Sequence, residues 1–231
     1  MRILGIDTST PLGSVALLNK GHLISEAVLE GSPAYSDKLL SGVDQLLNQS
    51  GIKLNDIEGY AITTGPGSFT GLRVGISLVK GLILATEKPF AAVNTLEAYA
   101  EMVQSGPYAV CPVLDARKKE IYTALFKFKN DQLIRTAPDQ ALSPLNLCEQ
   151  IKEPTVFLGN GLDVYGELFS SHLKENFIGT APVKNQTVAA SAAWVASQNL
   201  EKNMHFDLDL LTINYVRPSE AELNYTGIVP K

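Results

Sequence analysis

The sequence predicts an α/β protein of two similar halves, each with a mixed sheet, and a cleft between them. Three observations carry that expectation. Strand-like and helix-like patterns alternate along the whole length of 231 residues. Each half opens on an apolar strand that ends in an acid, at residues 3–7 with Asp7 and at residues 110–115 with Asp115. Each half also has a strand running into a Gly-x-Gly turn and a helix, at Gly65-Pro66-Gly67 and at Gly159-Asn160-Gly161. Paired α/β halves place a ligand site between them.

The elements follow in order. Strands are predicted at 3–7, 13–18 and 23–29, the last two split by the turn signal Asn19-Lys20-Gly21. After Gly31-Ser32-Pro33 the period changes: Leu39, Leu40, Val43, Leu46 and Leu47 recur at helical spacing until Ser50-Gly51. A strand at 60–64 enters the first Gly-x-Gly turn and a helix at 69–86. A strand at 90–93 and a helix at 96–103 close the half. Ser105-Gly106-Pro107 reads as a boundary, so the halves are residues 1–104 and 105–231. The second half repeats the order with strands at 110–115, 121–128 and 132–136, a helix at 145–151, and a strand at 155–158 before its turn and helix. The run 185–200, rich in Ala and Ser, reads as a further helix and not as a membrane span.

Composition narrows the function. Apolar residues are 45% of the chain, charged ones 19%, and the net charge is −5. That balance argues against an autonomous nucleic-acid binder and against a polybasic membrane anchor. Cys111 and Cys148 form no C-x-x-C pair and read as free thiols in a reducing, cytoplasmic setting. His22, His172 and His205 are far apart, with no ligand or catalytic partner at helical spacing, so no metal site is expected.

Asp7-Thr8-Ser9-Thr10 ends the first strand. A carboxylate, three hydroxyls and backbone N–H groups there could hold hydrated Mg²⁺ and phosphate oxygens, or could simply close a turn. The stretch Gly65-Pro66-Gly67-Ser68-Phe69-Thr70-Gly71-Leu72-Arg73-Val74-Gly75 is neither a Walker loop nor a Rossmann fingerprint. Ser68 is placed to cap the helix that follows. On that helix Gly71, Gly75, Leu78, Leu82 and Ala85 share one side, and Leu72, Ile76, Val79 and Ile83 the adjacent side. The apolar arc is about twice the width of roughly 100° that a single core needs. The glycine side is therefore expected inside, and the Leu72/Ile76/Val79/Ile83 side, edged by Arg73 and Lys80, is expected to meet a partner. Lys119, Lys127 and Lys129 fall on one face of a strand, read as a solvated face.

The opening Ile3-Leu4-Gly5-Ile6-Asp7-Thr8-Ser9, the glycine-rich stretch, Asp115-Ala116-Arg117 before a strand containing Tyr122, and Asn214-Tyr215-Val216-Arg217 resemble the TsaB (YeaZ) family over nearly the whole chain. The resemblance implies the actin-like, sugar-kinase-type ATPase fold. It implies a role in making threonylcarbamoyladenosine beside the anticodon of tRNAs that read ANN codons. In that family the paralogue TsaD transfers the threonylcarbamoyl group and binds a metal through an H-x-x-x-H motif, and the ATPase TsaE joins the complex. The matching region here, Ser32 to Lys38, has no histidine. The family also implies pairing of the first two helices with TsaD or with a second TsaB.

The expected function is thus a catalytically inert scaffold or activator. It binds no cofactor, meets tRNA only within the complex and touches no membrane. Its interface is drawn from Tyr35, Leu39, Leu72, Arg73, Ile76, Val79, Lys80 and Ile83, and Asp7, Thr8, Ser9 and Thr10 are the remnant of a phosphate loop. The competing expectation is a small ATP-dependent kinase or transferase of the same fold, with Asp7 and Asp115 facing each other across the cleft. A metallo-glycoprotease, the third reading, would need the missing histidine pair.

Overall fold

The structure is a computed structural model. It describes residues 1–30, 35–179, 183, 187–198 and 200–216. The first half contains β1 (Arg2–Asp7), β2 (Leu12–Asn19), β3 (His22–Glu30), α1 (Tyr35–Gln49), β4 (Gly59–Thr63), α2 (Phe69–Thr86), β5 (Phe90–Val93) and α3 (Thr95–Ala100). The second contains β6 (Ala109–Arg117), β7 (Glu120–Lys129), β8 (Gln132–Leu142), α4 (Pro144–Gln150), β9 (Thr155–Leu158), α5 (Leu162–Leu173) and β10 (Phe177–Ile178). Two helices follow, α6 (Val188–Gln198) and α7 (Leu200–Asn203).

The two sheets share one topology. Their strand orders are β3-β2-β1-β4-β5 and, read from the other edge, β8-β7-β6-β9-β10. In each, a three-strand antiparallel meander joins a parallel pair through the first strand of the half. Parallel strands need both faces covered, and the helices supply that. Helices α1 and α2 cover one face of the first sheet, α4 and α5 the outer face of the second. Both Gly-x-Gly turns leave their strand through a left-handed residue, Gly65 at φ 119° and Gly159 at φ 106°. Only glycine takes that conformation without cost.

One difference from the expected halves is large. Helix α6 belongs to the second half by sequence, yet it packs on β1, β2 and β4 of the first. Ala189 N donates to Ser14 Oγ at 3.1 Å, and Thr187 donates its N and Oγ1 to Glu26 Oε2 at 3.0 and 2.7 Å. His205 and Phe90 pair their backbones, and Leu211 is 1% exposed in the first-half core. The boundary at 105 therefore separates the sheets, but residues 187–198 and 200–214 return to the first one. The inner layer is α6 with α3, which also contacts β6, β7 and β8. Ala189, Ala192, Ala193 and Ala196 are at most 1% exposed there. Their small side chains let the helix approach the first sheet closely. This explains the Ala-rich run without a membrane.

Helix α2 is the one helix, among the described residues, long and apolar enough to cross a bilayer. Its apolar residues instead pack on β1, β4 and α1. Lys119 and Lys129 are exposed, as the expected solvated face requires. Strand β7 lies inside the sheet, second from its edge, with Ala124 and Phe126 buried toward the inner layer and Ile121 buried against α4 and α5. Lys119 lies in the turn before it and Lys127 pairs with Glu153 at 2.7 Å.

Candidate functional site

The cleft between the halves is about 440 Å³. The first half lines it with Ser9, Thr10, the 66–70 turn and Leu72. The second contributes Asp115, Arg117, Tyr122 and Asn160. Asn214, Tyr215 and Val216 complete its rim. Residues of both glycine turns, Pro66 and Gly67 from one and Asn160 from the other, thus line the same cleft. Asp115 N donates to Asn160 Oδ1 at 3.2 Å, and Asp115 Oδ1 accepts from Arg117 N at 2.8 Å. On the rim, the Phe69 and Tyr215 rings lie 5.6 Å apart, with the Arg73 guanidinium 3.8 Å over Phe69.

Asp7 and Thr8 do not reach this cleft. Both are 0% exposed. The start of α2 lies directly on them. Ser68 caps that helix, its Oγ accepting from Gly71 N at 3.3 Å, and its own N donates to Ser9 O at 2.6 Å. A Cβ at Gly71 would overlap Thr8 O, and one at Gly75 would overlap Thr8 Oγ1. The glycine-rich stretch therefore serves close packing of helix on loop. Asp7 Oδ1 accepts from Thr63 Oγ1 at 2.6 Å and from Ser9 N at 3.1 Å, while Asp7 Oδ2, Thr8 Oγ1 and Ser9 Oγ have no partner. Hydrated Mg²⁺ and phosphate oxygens need donors and acceptors facing open space, and this roofed loop does not fit them. Of the four expected loop residues, only Ser9 and Thr10 line the cleft. Among the described residues, no three His, Cys, Asp or Glu gather to hold a metal.

Burial raises the Asp7 carboxyl above its ordinary value of 3.8, against the opposing hydrogen bonds from Thr63 and Ser9. The folded state then holds this proton more tightly than the unfolded one. The stability so gained is full below the ordinary carboxylate range and lost as pH rises through the folded value. Asp7→Asn removes this dependence. The melting-temperature difference, variant minus wild type, is expected to grow from pH 4 to pH 8 and to favour the variant at pH 8. Parallel thermal melts check it; a difference that shrinks with pH refutes it.

The expected partner residues are corrected. Leu39 and Val79 are 0% exposed, Leu72 2%, Ile83 5% and Ile76 7%. The reason is two-sided packing: α2 lies on the sheet along its glycine side and meets α1 and the first-half core along the side assigned to a partner. Arg73 is exposed and Lys80 half-buried. The side chain of Tyr35 lies outside the described residues, as do most of the Ser32 to Lys38 region and Arg217. What α2 leaves open is a third arc: Ser77, Gly81, Leu84 and Ala85 are exposed, with Val74 and Leu78 half-buried beside them. Leu40 of α1 adds a further exposed apolar side chain. Two residues of this arc, Leu78 and Ala85, belong to the glycine side that was expected inside.

The family model described as TsaD, tRNA N6-adenosine threonylcarbamoyltransferase, matches residues 29–225. The "tRNA threonylcarbamoyladenosine biosynthesis protein TsaB" of Bacillus subtilis (strain 168) is 31% identical over 97% of this chain and 98% of its own length. The chain belongs to the TsaB family. It lies within the wider family that the TsaD model covers. Among solved structures, YeaZ from Pseudomonas aeruginosa matches with a TM-score of 0.71 at 23% identity, over 93% of this chain and 99% of that one. The activator of the 2-hydroxyisocaproyl-CoA dehydratase from Clostridium difficile, solved with bound ADPNP, matches with a TM-score of 0.54 at 10% identity, over 87% and 96%. With the repeated two-sheet topology, these likenesses identify the actin-like ATPase fold of the TsaB chain.

Proposed function

We propose that this TsaB-family chain is a non-catalytic subunit of the cytoplasmic assembly that makes threonylcarbamoyladenosine in tRNA. It pairs through α1 and α2 with a TsaD-type transferase, works alongside the ATPase TsaE, and meets tRNA only within that assembly. A homodimer through the same face is the form the chain would take without the transferase. The observation that carries the reading is the roof that α2 forms over Asp7 and Thr8. Among the described residues the first half lines the cleft with no carboxylate, so the kinase reading is left with Asp115 alone. The open apolar arc of α2 beside Leu40 supports the pairing. The net charge of −5 supports tRNA contact through partners.

Gly81→Arg tests this. A Cβ at Gly81 meets nothing within 4 Å, and replacing a mid-helix glycine stabilises a helix by up to about 1 kcal/mol. The variant is expected to fold and melt at or above the wild-type temperature. It should fail to co-elute with TsaD, and tRNA modification reconstituted with TsaC, TsaD and TsaE should drop to the level without this chain. Normal pairing and modification by Gly81→Arg would place the interface elsewhere.

A further inference from the structure

Asp139 lies on β8, at the edge of the second sheet, yet the groups that meet it come from three places. Arg135, on the same strand, forms an ion pair with its Oδ1. Asn94, the N-cap of α3, donates from Nδ2 to its Oδ2 at 2.5 Å. Asn214 Nδ2 donates to the same oxygen at 3.1 Å. The Asp139 side chain is 13% exposed. A carboxylate so placed accepts charge-assisted bonds stronger than those between neutral amides. Glu97 faces the same guanidinium, which opposes the rise that burial imposes on that carboxyl.

Asn214 is tied to the first half as well. Its backbone N donates to Thr64 O at 2.8 Å, and its carbonyl passes Gly65 so closely that a Cβ there would lie 2.6 Å from it. Leu211 and Ile213 hold the same segment by apolar contact with the first-half core. Residues 211–216 thus run as a strap from that core to the rim of the cleft. Toward the second half the grip is polar and sits on an exposed residue, and such a bond exchanges readily against water.

We propose that Asp139 is a latch. Its carboxylate, oriented by Arg135, fastens the 211–216 strap to the second half and thereby holds Tyr215 against Phe69 over the cleft. Breaking the Asn214–Asp139 bond frees the strap locally while both sheets stay folded, so the latch governs access to the cleft. This goes beyond the subunit role and does not require it.

Hydrogen exchange on the isolated full-length chain tests the latch without reference to pairing or modification. In Asp139→Ala the Asn214 amide is expected to exchange about tenfold faster than in wild type, with the β1 amides unchanged. Asn214→Ala leaves the Asn94 and Arg135 bonds to Asp139 in place and should accelerate the amide of position 214 by a similar factor. Unchanged exchange at position 214 in Asn214→Ala overturns the latch. So does equal acceleration at position 214 and in β1, which would show a general loss of stability instead of a local release.

Discussion

Val79→Glu is expected to yield no folded monomer. Val79 is 0% exposed in the core formed by α1, α2 and the first sheet, beside Leu46, Ile57 and Tyr60. The change removes a buried side chain worth about 1.5–3 kcal/mol. It also puts a carboxylate where no partner can reach it, at several kcal/mol more. The sum is about 5 kcal/mol or more, against a total stability of roughly 5–15 kcal/mol for a domain. Circular dichroism and soluble yield would report the loss. A helical, monomeric, soluble variant that merely fails to pair would mean that this face of α2 opens in solution, as its apolar width alone led one to expect.

Gly5→Ala is expected to loosen the inner layer of the molecule. Gly5 sits in the middle of β1, and a Cβ there would overlap the carbonyl oxygen of Ala189 and lie 3.0 Å from the Cβ of Ala193. The obstacle is helix backbone, which cannot rotate aside as a side chain can. Overpacking of this kind costs about 1–3 kcal/mol and occasionally more. Here α6 must lift from the first sheet, which also weakens its contact with α3, so the upper end or beyond applies. Thermal melting checks it, with the largest gain in hydrogen exchange expected in α6. Unchanged melting would show that β1 and α6 are not in close contact.

The pairing of these two residues shows how far the linear pattern reached. The alternation of elements, the two acids at strand ends, the two Gly-x-Gly turns and the cap at Ser68 were legible because each depends on residues close in sequence. Strand period, helix period, turn chemistry and caps are local. The repeated sheet order then follows from few topological choices. The open arc of α2 was not legible, since a helical wheel does not say how many neighbours a helix has. With one neighbour, the face holding Val79 would have been free. The structure supplies two, the sheet and α1.

The sequence by itself determined the class of this protein: two matching α/β halves, a cleft between them, and residues that resemble the TsaB family. Only the tertiary structure decided what those residues do. It placed Asp7 and Thr8 beneath α2 instead of in the cleft, because Gly71 and Gly75 let helix and loop touch. It carried α6 back to the first sheet, where Gly5 and a row of alanines leave room for backbone to meet backbone. It brought Asn94, Arg135 and Asn214 to one carboxylate on Asp139. Each of these depends on contacts between residues distant in sequence, and such contacts leave no periodic mark in the chain.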